Sequence, residues 1–257
     1  MDIYTGLAAL YDIFMDNIPY VEWHEYLRSL LMEYSIKEGI VLDLGCGTGN
    51  MTELLAADGY DMIGIDNSEE MLSIAMEKAY DKSLNILYLL QDMREFELYG
   101  TVAAVVSICD SLNYITEFDQ LVKVFSMVNN YLDPDGIFIF DMTTEKKYID
   151  IADSVIAENR NEGSFIWENS YFADERINRY DMTIFEKLDS GLYKKHLETH
   201  IQRVYTLDEI KSALDLSGLK FEACYKAFTH NEPDDDCERI YIIARESINH
   251  NEKKKRR

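Results

Sequence analysis

The chain has 257 residues, 47% hydrophobic and 28% charged, which is enough apolar matter for one large domain, or one with an insertion, and excludes a wholly disordered chain. Its net charge of −23 argues against nucleic-acid binding, which needs cationic groups to displace counterions. No apolar run approaches the ~18 residues of a membrane span, and the first twenty residues carry Asp2, Asp12 and Asp16 without a basic residue, so no signal peptide and a cytoplasmic location are expected.

In chain order, residues 1–35 carry Tyr4, Tyr11, Tyr20 and Trp23 ahead of the first strand signal. "GIVLDLG" (39–45) is a short apolar run ending in a glycine turn, a buried strand. "TELLAADG" (52–59) has helical spacing and a closing glycine. "YDMIGID" (60–66) is a second strand, after which Asn67 or Ser68 caps a helix with acids in its first turn. Strands three and four are read at 84–92 and 102–110, a helix at 118–132, a turn at "DPDG" (133–136) and a fifth strand at 137–142. Continuous apolar strands alternating with helices predict a parallel, doubly wound α/β sheet with both faces covered.

After a helical stretch near 145–157 the texture changes. "SFIWENSYF", "RINRYDMTIFEKL" and "LYKKHLETHIQRVY" alternate and are rich in aromatic residues, which predicts an inserted antiparallel meander. "TLDEI" (206–210) is a capping box opening a helix that ends at Gly218, and two strands close the chain as an antiparallel pair. The predicted organisation is an N-terminal helical segment (1–35), an α/β domain (36–158 and 206–248), an inserted β subdomain (159–205) and a basic tail (249–257). Cys46, Cys109, Cys224 and Cys237 show neither C-x-x-C spacing nor a Cys/His cluster, so no disulfide and no metal site are expected.

The chemistry concentrates in "LDLGCGTGN" (42–50). Gly45, Gly47 and Gly49 alternate after a strand, as in phosphate-binding loops, yet Asp43 stands two residues earlier and would repel a phosphate. A ligand suited to both features carries a cation and no phosphate. S-adenosylmethionine, with an ammonium and a sulfonium, meets both conditions, the glycines then allowing close backbone approach. Asp66 ends the second strand, where a carboxylate can accept both hydrogen bonds of a ribose diol. Asp92 can accept from an adenine amino group, or merely cap a turn, while Met93 offers an apolar contact. Asp43 can also cap the loop.

"VLDLGCGTGN", "IGIDNSEEML" and "QDMREF", in this order and spacing over residues 39–145, resemble the class I S-adenosylmethionine-dependent methyltransferases. "YTGLAALYDIFM" and "CDSLNYI" resemble a bacterial subgroup acting on small molecules, which includes sugar N-methyltransferases and glycine or sarcosine methyltransferases. The resemblance implies a Rossmann-like seven-stranded sheet of order 3-2-1-4-5-7-6, with the N-terminal helical segment as a lid. It implies S-adenosyl-L-methionine as cofactor, S-adenosyl-L-homocysteine as product, and a small-molecule acceptor met by a monomer or homodimer. It implies cofactor contacts at Tyr4, Tyr11, Cys46, Asn67, Met71, Cys109 and Asp110, beside the acids and glycines above. Asp110, Asn113 and Tyr114 follow the fourth strand, where the acceptor meets the methyl group. This segment lacks the prolines of the D/N/S-P-P-Y/F motif of DNA and glutamine N-methyltransferases.

In the last meander strand His196, Glu198, His200 and Gln202 share one face, by default solvated. If the meander roofs the site, that face meets the acceptor, and His200 becomes a candidate base with Asn113 and Tyr114 as companions. The acidic residues favour a cationic or amine acceptor. Rival readings are a protein or RNA methyltransferase, the latter disfavoured by charge, and a cofactor-binding module without catalysis.

Overall fold

A computed structural model describes residues 8–16 and 18–247, so Tyr4 and the basic tail lie outside the described residues. Two helices, α1 (Ala8–Phe14) and α2 (Tyr20–Glu33), precede the sheet. An alternating series follows: β1 (Ile40–Leu44), α3 (Asn50–Ala57), β2 (Asp61–Asp66), α4 (Glu69–Asp81), β3 (Leu87–Leu90), β4 (Val102–Ser107), α5 (Phe118–Tyr131) and β5 (Leu132–Thr143). The chain continues through α6 (Glu145–Ile151), β6 (Val155–Asn159), β7 (Gly163–Phe172), β8 (Ile177–Lys187) and β9 (Tyr193–Arg203), and ends with α7 (Leu207–Ser217), β10 (Leu219–Lys226) and β11 (Arg239–Glu246).

The main sheet has the order β10-β11-β5-β4-β1-β2-β3. Strands β1 to β5 run parallel, and β11 runs antiparallel to both β5 and β10. This is the 3-2-1-4-5-7-6 order, with β10 and β11 as sixth and seventh. Alternation in the strands serves two cores. Leu42, Leu44, Phe138 and Phe140 face α5 and α7, while Val41, Ile137 and Ile139 face α2 and α3. Phe125 of α5 lies 5.6 Å from the Phe138 ring and 5.2 Å from the Phe140 ring, an anchor whose truncation would cost ~3–5 kcal/mol. Ser68 caps α4 by accepting from the Met71 N–H at 3.2 Å, and Thr206 and Glu209 form the reciprocal capping box of α7. No described helix is long and apolar enough to cross a membrane.

Several boundaries differ from the sequence reading. The turn at 133–136 is a bulge within β5, since Val102 pairs with Leu132 but Ala104 pairs with Ile137. The third strand shrinks to Leu87–Leu90; beyond it the Gln91 N–H still donates to the Asp66 carbonyl at 3.0 Å, while its side chain exchanges hydrogen bonds with the Glu97 backbone. The helix expected over 145–157 stops at Ile151. Asp153 takes a φ of 55°, and Val155 and Ile156 pair with β7 instead. The second sheet therefore has four strands, β6-β7-β8-β9, and begins before 159.

The N-terminal segment also divides. α2 buries Leu27, Leu30 and Leu31 in the main core, whereas α1 packs Leu10 and Phe14 against Phe165, Met182 and Ile184 of the second sheet. The face of β9 read as solvated is the buried one. Glu198, His200 and Gln202 are 6%, 2% and 1% exposed, while Leu197 and Ile201 stand outward at 67% and 45%. Alternation identifies the two faces of a strand but not which one is covered. Here the covered face is polar because its partners across the interface are polar too.

Candidate active site

A cavity of about 430 Å³ opens beyond the carboxyl ends of β1, β2 and β4, where ligands of open α/β sheets bind. Its floor is the turn after β1. The N–H groups of Gly45 and Cys46 both donate to the Ile65 carbonyl, at 2.8 and 3.0 Å, hooking the turn over β2. Gly45 has a φ of 82°, and a Cβ there would stand 2.8 Å from that of Ser111, so only glycine leaves this wall open. Gly45, Cys46 and Gly47 line the cavity. Gly49 does not: a Cβ there would meet the Tyr88 hydroxyl at 2.4 Å, and its requirement is close packing where the chain enters α3.

Three predicted acids line the cavity. Asp66 accepts from the Gly47 N–H at 2.8 Å through Oδ2 and from the Ser68 N–H at 2.9 Å through Oδ1. Burial nevertheless holds its carboxyl above the ordinary range. Asp43 is 2% exposed and accepts from the Thr52 hydroxyl of α3 at 2.6 Å. Burial, helped by the nearby charge of Asp66 and opposed by the Thr52 bond, pushes its carboxyl up to about 7. Asp92 takes the backbone N–H and the Nε–H of Arg94, each at 2.8 Å, and pairs with the rest of the guanidinium. That pairing outweighs burial and holds the carboxyl below its usual range. Asn67, Met71 and Met93 line the same side.

Cys109 lines the cavity, and burial with nearby acids pushes its thiol up, as it does for Cys46, so neither is poised as a thiolate. Cys109 and Asp110 are consecutive left-handed residues, φ 65° and 53°, opening a short 3-10 turn over Ser111–Tyr114. The Asp110 side chain is not in the cavity wall. It accepts from Arg239 at 2.7 Å and Gln202 at 2.9 Å, while its N–H donates to Asp141 at 2.9 Å. Arg239 also pairs with Asp141 and lies 4.9 Å over the Trp23 ring. Asn113 is likewise outside the wall. Its amide donates to the Thr143 and Arg203 carbonyls, at 3.2 and 2.9 Å, and accepts from the Thr143 N–H at 3.0 Å. Its expected role at the acceptor gives way to holding β5 and β9 together.

Tyr114 does line the cavity. Its hydroxyl is 3.1 Å from Nδ1 of His200, whose Nε2 is 3.1 Å from Glu198 Oε2. His200 itself is outside the wall and reaches it through Tyr114. Tyr11 and Tyr20 also line the cavity, and burial pushes both phenols up. The next residue, Asp12, accepts from Thr48 at 2.7 Å, Asn50 at 2.9 Å and Lys78 at 2.9 Å. Against the opposing effect of burial, those bonds hold its carboxyl below the ordinary range. Sequence reading missed Thr199 and Ile201, which line the mouth from β9, together with the contacts of Asp12 and Arg239. The partners of Asp12 and Arg239 are remote in sequence.

The wall fits a cationic, phosphate-free ligand. Its carboxylates retain acceptor capacity, its glycine turn admits close approach, and its one described cation, Arg94, is already paired. A family profile described as a methyltransferase domain matches residues 41–136. YqeM of Bacillus subtilis (strain 168), provisionally named a methyltransferase, is 36% identical over 247 residues, 95% of this chain and 98% of that protein. The dTDP-3-amino-3,4,6-trideoxy-alpha-D-glucopyranose N,N-dimethyltransferase of Streptomyces venezuelae is 26% identical, covering 84% of this chain and 90% of its own. Among solved structures, an S-adenosylmethionine-dependent methyltransferase from Clostridium acetobutylicum ATCC 824 is 26% identical with a TM-score of 0.84, spanning 95% of this chain and 99% of that one. With these relatives, the sheet order and the acid-lined glycine turn, the chain belongs to the class I S-adenosylmethionine-dependent methyltransferases.

Proposed function

We propose that the enzyme methylates an amino group of a small molecule by direct in-line displacement. The observation that carries this reading is the cavity's charge: Asp43 and Asp66 line it, and its one described cation is tied to Asp92. Such a wall favours an acceptor that arrives as an ammonium. S-adenosylmethionine supplies the methyl group on a sulfonium, so the protein's task is to align and desolvate the acceptor. In this reading Asp66 holds the ribose diol, Asp43 the methionyl ammonium, and Asp92 with Met93 the adenine. Cys46, Asn67, Met71 and Cys109 complete that wall, with Tyr11 and Tyr20 covering it. The acceptor sits toward Tyr114, Thr199 and Ile201. The Streptomyces venezuelae relative, named for an amino-sugar N,N-dimethylation, supports an amine.

The test is incubation of the protein with methyl-labelled S-adenosylmethionine and a cell extract, followed by identification of the labelled product. A labelled small amine is expected, with labelling lost in Asp66→Ala. Label on a hydroxyl, on RNA or on protein would replace this reading.

A further inference from the structure

We infer that Tyr114, His200 and Glu198 form a proton relay that takes the acceptor's ammonium proton into the interface between the two sheets. The inference rests on the amine reading above and adds a route for the proton. Tyr114 belongs to the 3-10 turn after β4 and lines the cavity, whereas His200 and Glu198 belong to β9 of the second sheet. The two contacts, both 3.1 Å, run in series from the cavity wall to a carboxylate that is 6% exposed.

Buried polar groups persist only where they are hydrogen-bonded, and a buried His–Glu pair is a poor way to gain stability. An alternating strand in this position would bury Leu197 at lower cost, yet the chain leaves it 67% exposed. The buried pair ends on the hydroxyl of a cavity-lining tyrosine, which gives it an outlet to chemistry. Three elements present groups to His200. Tyr114 meets it from the turn, Glu198 from its own strand, and Tyr180 stands opposite in the β8 ladder. Behind Tyr180 lie Tyr148 of α6, which donates to Gln202, and Asp110, which is neutralised by Arg239.

With Nδ1 accepting the Tyr114 hydroxyl, the neutral imidazole carries its proton on Nε2 and donates it to Glu198. The acceptor's ammonium proton passes to the Tyr114 oxygen as the hydroxyl proton moves to Nδ1, leaving an imidazolium between Tyr114 and a carboxylate. The freed lone pair forms the new C–N bond, the S–CH₃ bond breaks, and its electron pair stays on sulfur. The imidazolium returns its proton to solvent through Tyr114 when product leaves. Tyr114 is the catalytic residue here; His200 and Glu198 are positioning residues acting through it.

Two measurements test this. In protein labelled with [15N]histidine and saturated with S-adenosylhomocysteine, the His200 signals, assigned by their loss in His200→Gln, should report the Nε2–H tautomer. Tyr114→Phe should move the Nδ1 signal and Glu198→Gln the Nε2 signal. An Nδ1–H tautomer, or either signal unmoved, overturns the relay, and this arm needs no acceptor. With the amine identified by labelling, Tyr114→Phe and His200→Gln should lower kcat by roughly 10²-fold at pH 7, leaving S-adenosylmethionine affinity unchanged. That gap should close as pH rises toward the amine's own pKa, where solution supplies the free base. A gap constant with pH overturns the relay. Label on a hydroxyl would instead sink the amine reading, leaving the nitrogen spectra to decide the relay's geometry.

Discussion

Asp43 shows how one carboxylate can be both a structural cost and a binding device. Burial raises it to about 7, so the folded chain retains a proton that the unfolded chain releases near 3.8. Its contribution to stability is therefore complete below that lower value and is lost as pH rises through about 7. A ligand ammonium beside it requires the ionised form. S-adenosylmethionine affinity, followed by calorimetry, should rise about fivefold between pH 6 and pH 7, and Asp43→Asn should flatten that rise. A flat wild-type profile would remove the ammonium from Asp43. At this scale the sequence was legible where residues lining the cavity lie close along the chain. The glycine turn, Asp66 and Asp92–Met93 each sit at a strand end. Asp110 and Asn113 were misread because their partners, Arg239, Gln202 and Thr143, arrive from other elements.

Among the elements, α1 is the one whose docking turns on a single side chain. Seven residues are too short for independent helical stability, so its position depends on packing and on Asp12. Asp12 bridges α1 to the glycine loop through Thr48 and Asn50 and to α4 through Lys78. Its depressed carboxyl contributes fully above about pH 4 and loses that contribution as pH falls through its folded-state value. Asp12→Ala should raise amide exchange in residues 10–16 roughly 10-fold, from the loss of charged hydrogen bonds, while β1 and β4 stay protected. Unchanged exchange would mean that Leu10 and Phe14 alone hold the helix. The strands and helices of the main sheet were legible because apolar periodicity and caps coincide there, as at Ser68 and Thr206. β6 was not, since its pairing with β7 is a tertiary fact that overrides a helical pattern.

Across the whole molecule, one cation joins both sheets and the N-terminal region. Arg239 of β11 pairs with Asp141 of β5 and with Asp110, which binds Gln202 of β9, and it lies over Trp23 of α2. Arg239→Met would strand Asp141, which is 0% exposed, and should cost about 3–5 kcal/mol in urea unfolding. Adding Asp141→Asn should return part of that loss. Equal stability of wild type and Arg239→Met would show that the ion cluster is not a joint. The seven-stranded order followed from a family resemblance covering only residues 39–145, whereas the mating of the two sheets depends on a polar surface that alternation assigned to solvent.

Asn113 ties together the two ends of the second sheet's excursion. Its amide grips Thr143, where the chain departs from the main sheet, and Arg203, where it comes back. Sixty residues of excursion thus begin and end at one clasp, like a cassette in a fixed slot. Replacing the excursion between its clasped ends should therefore leave the main sheet folded.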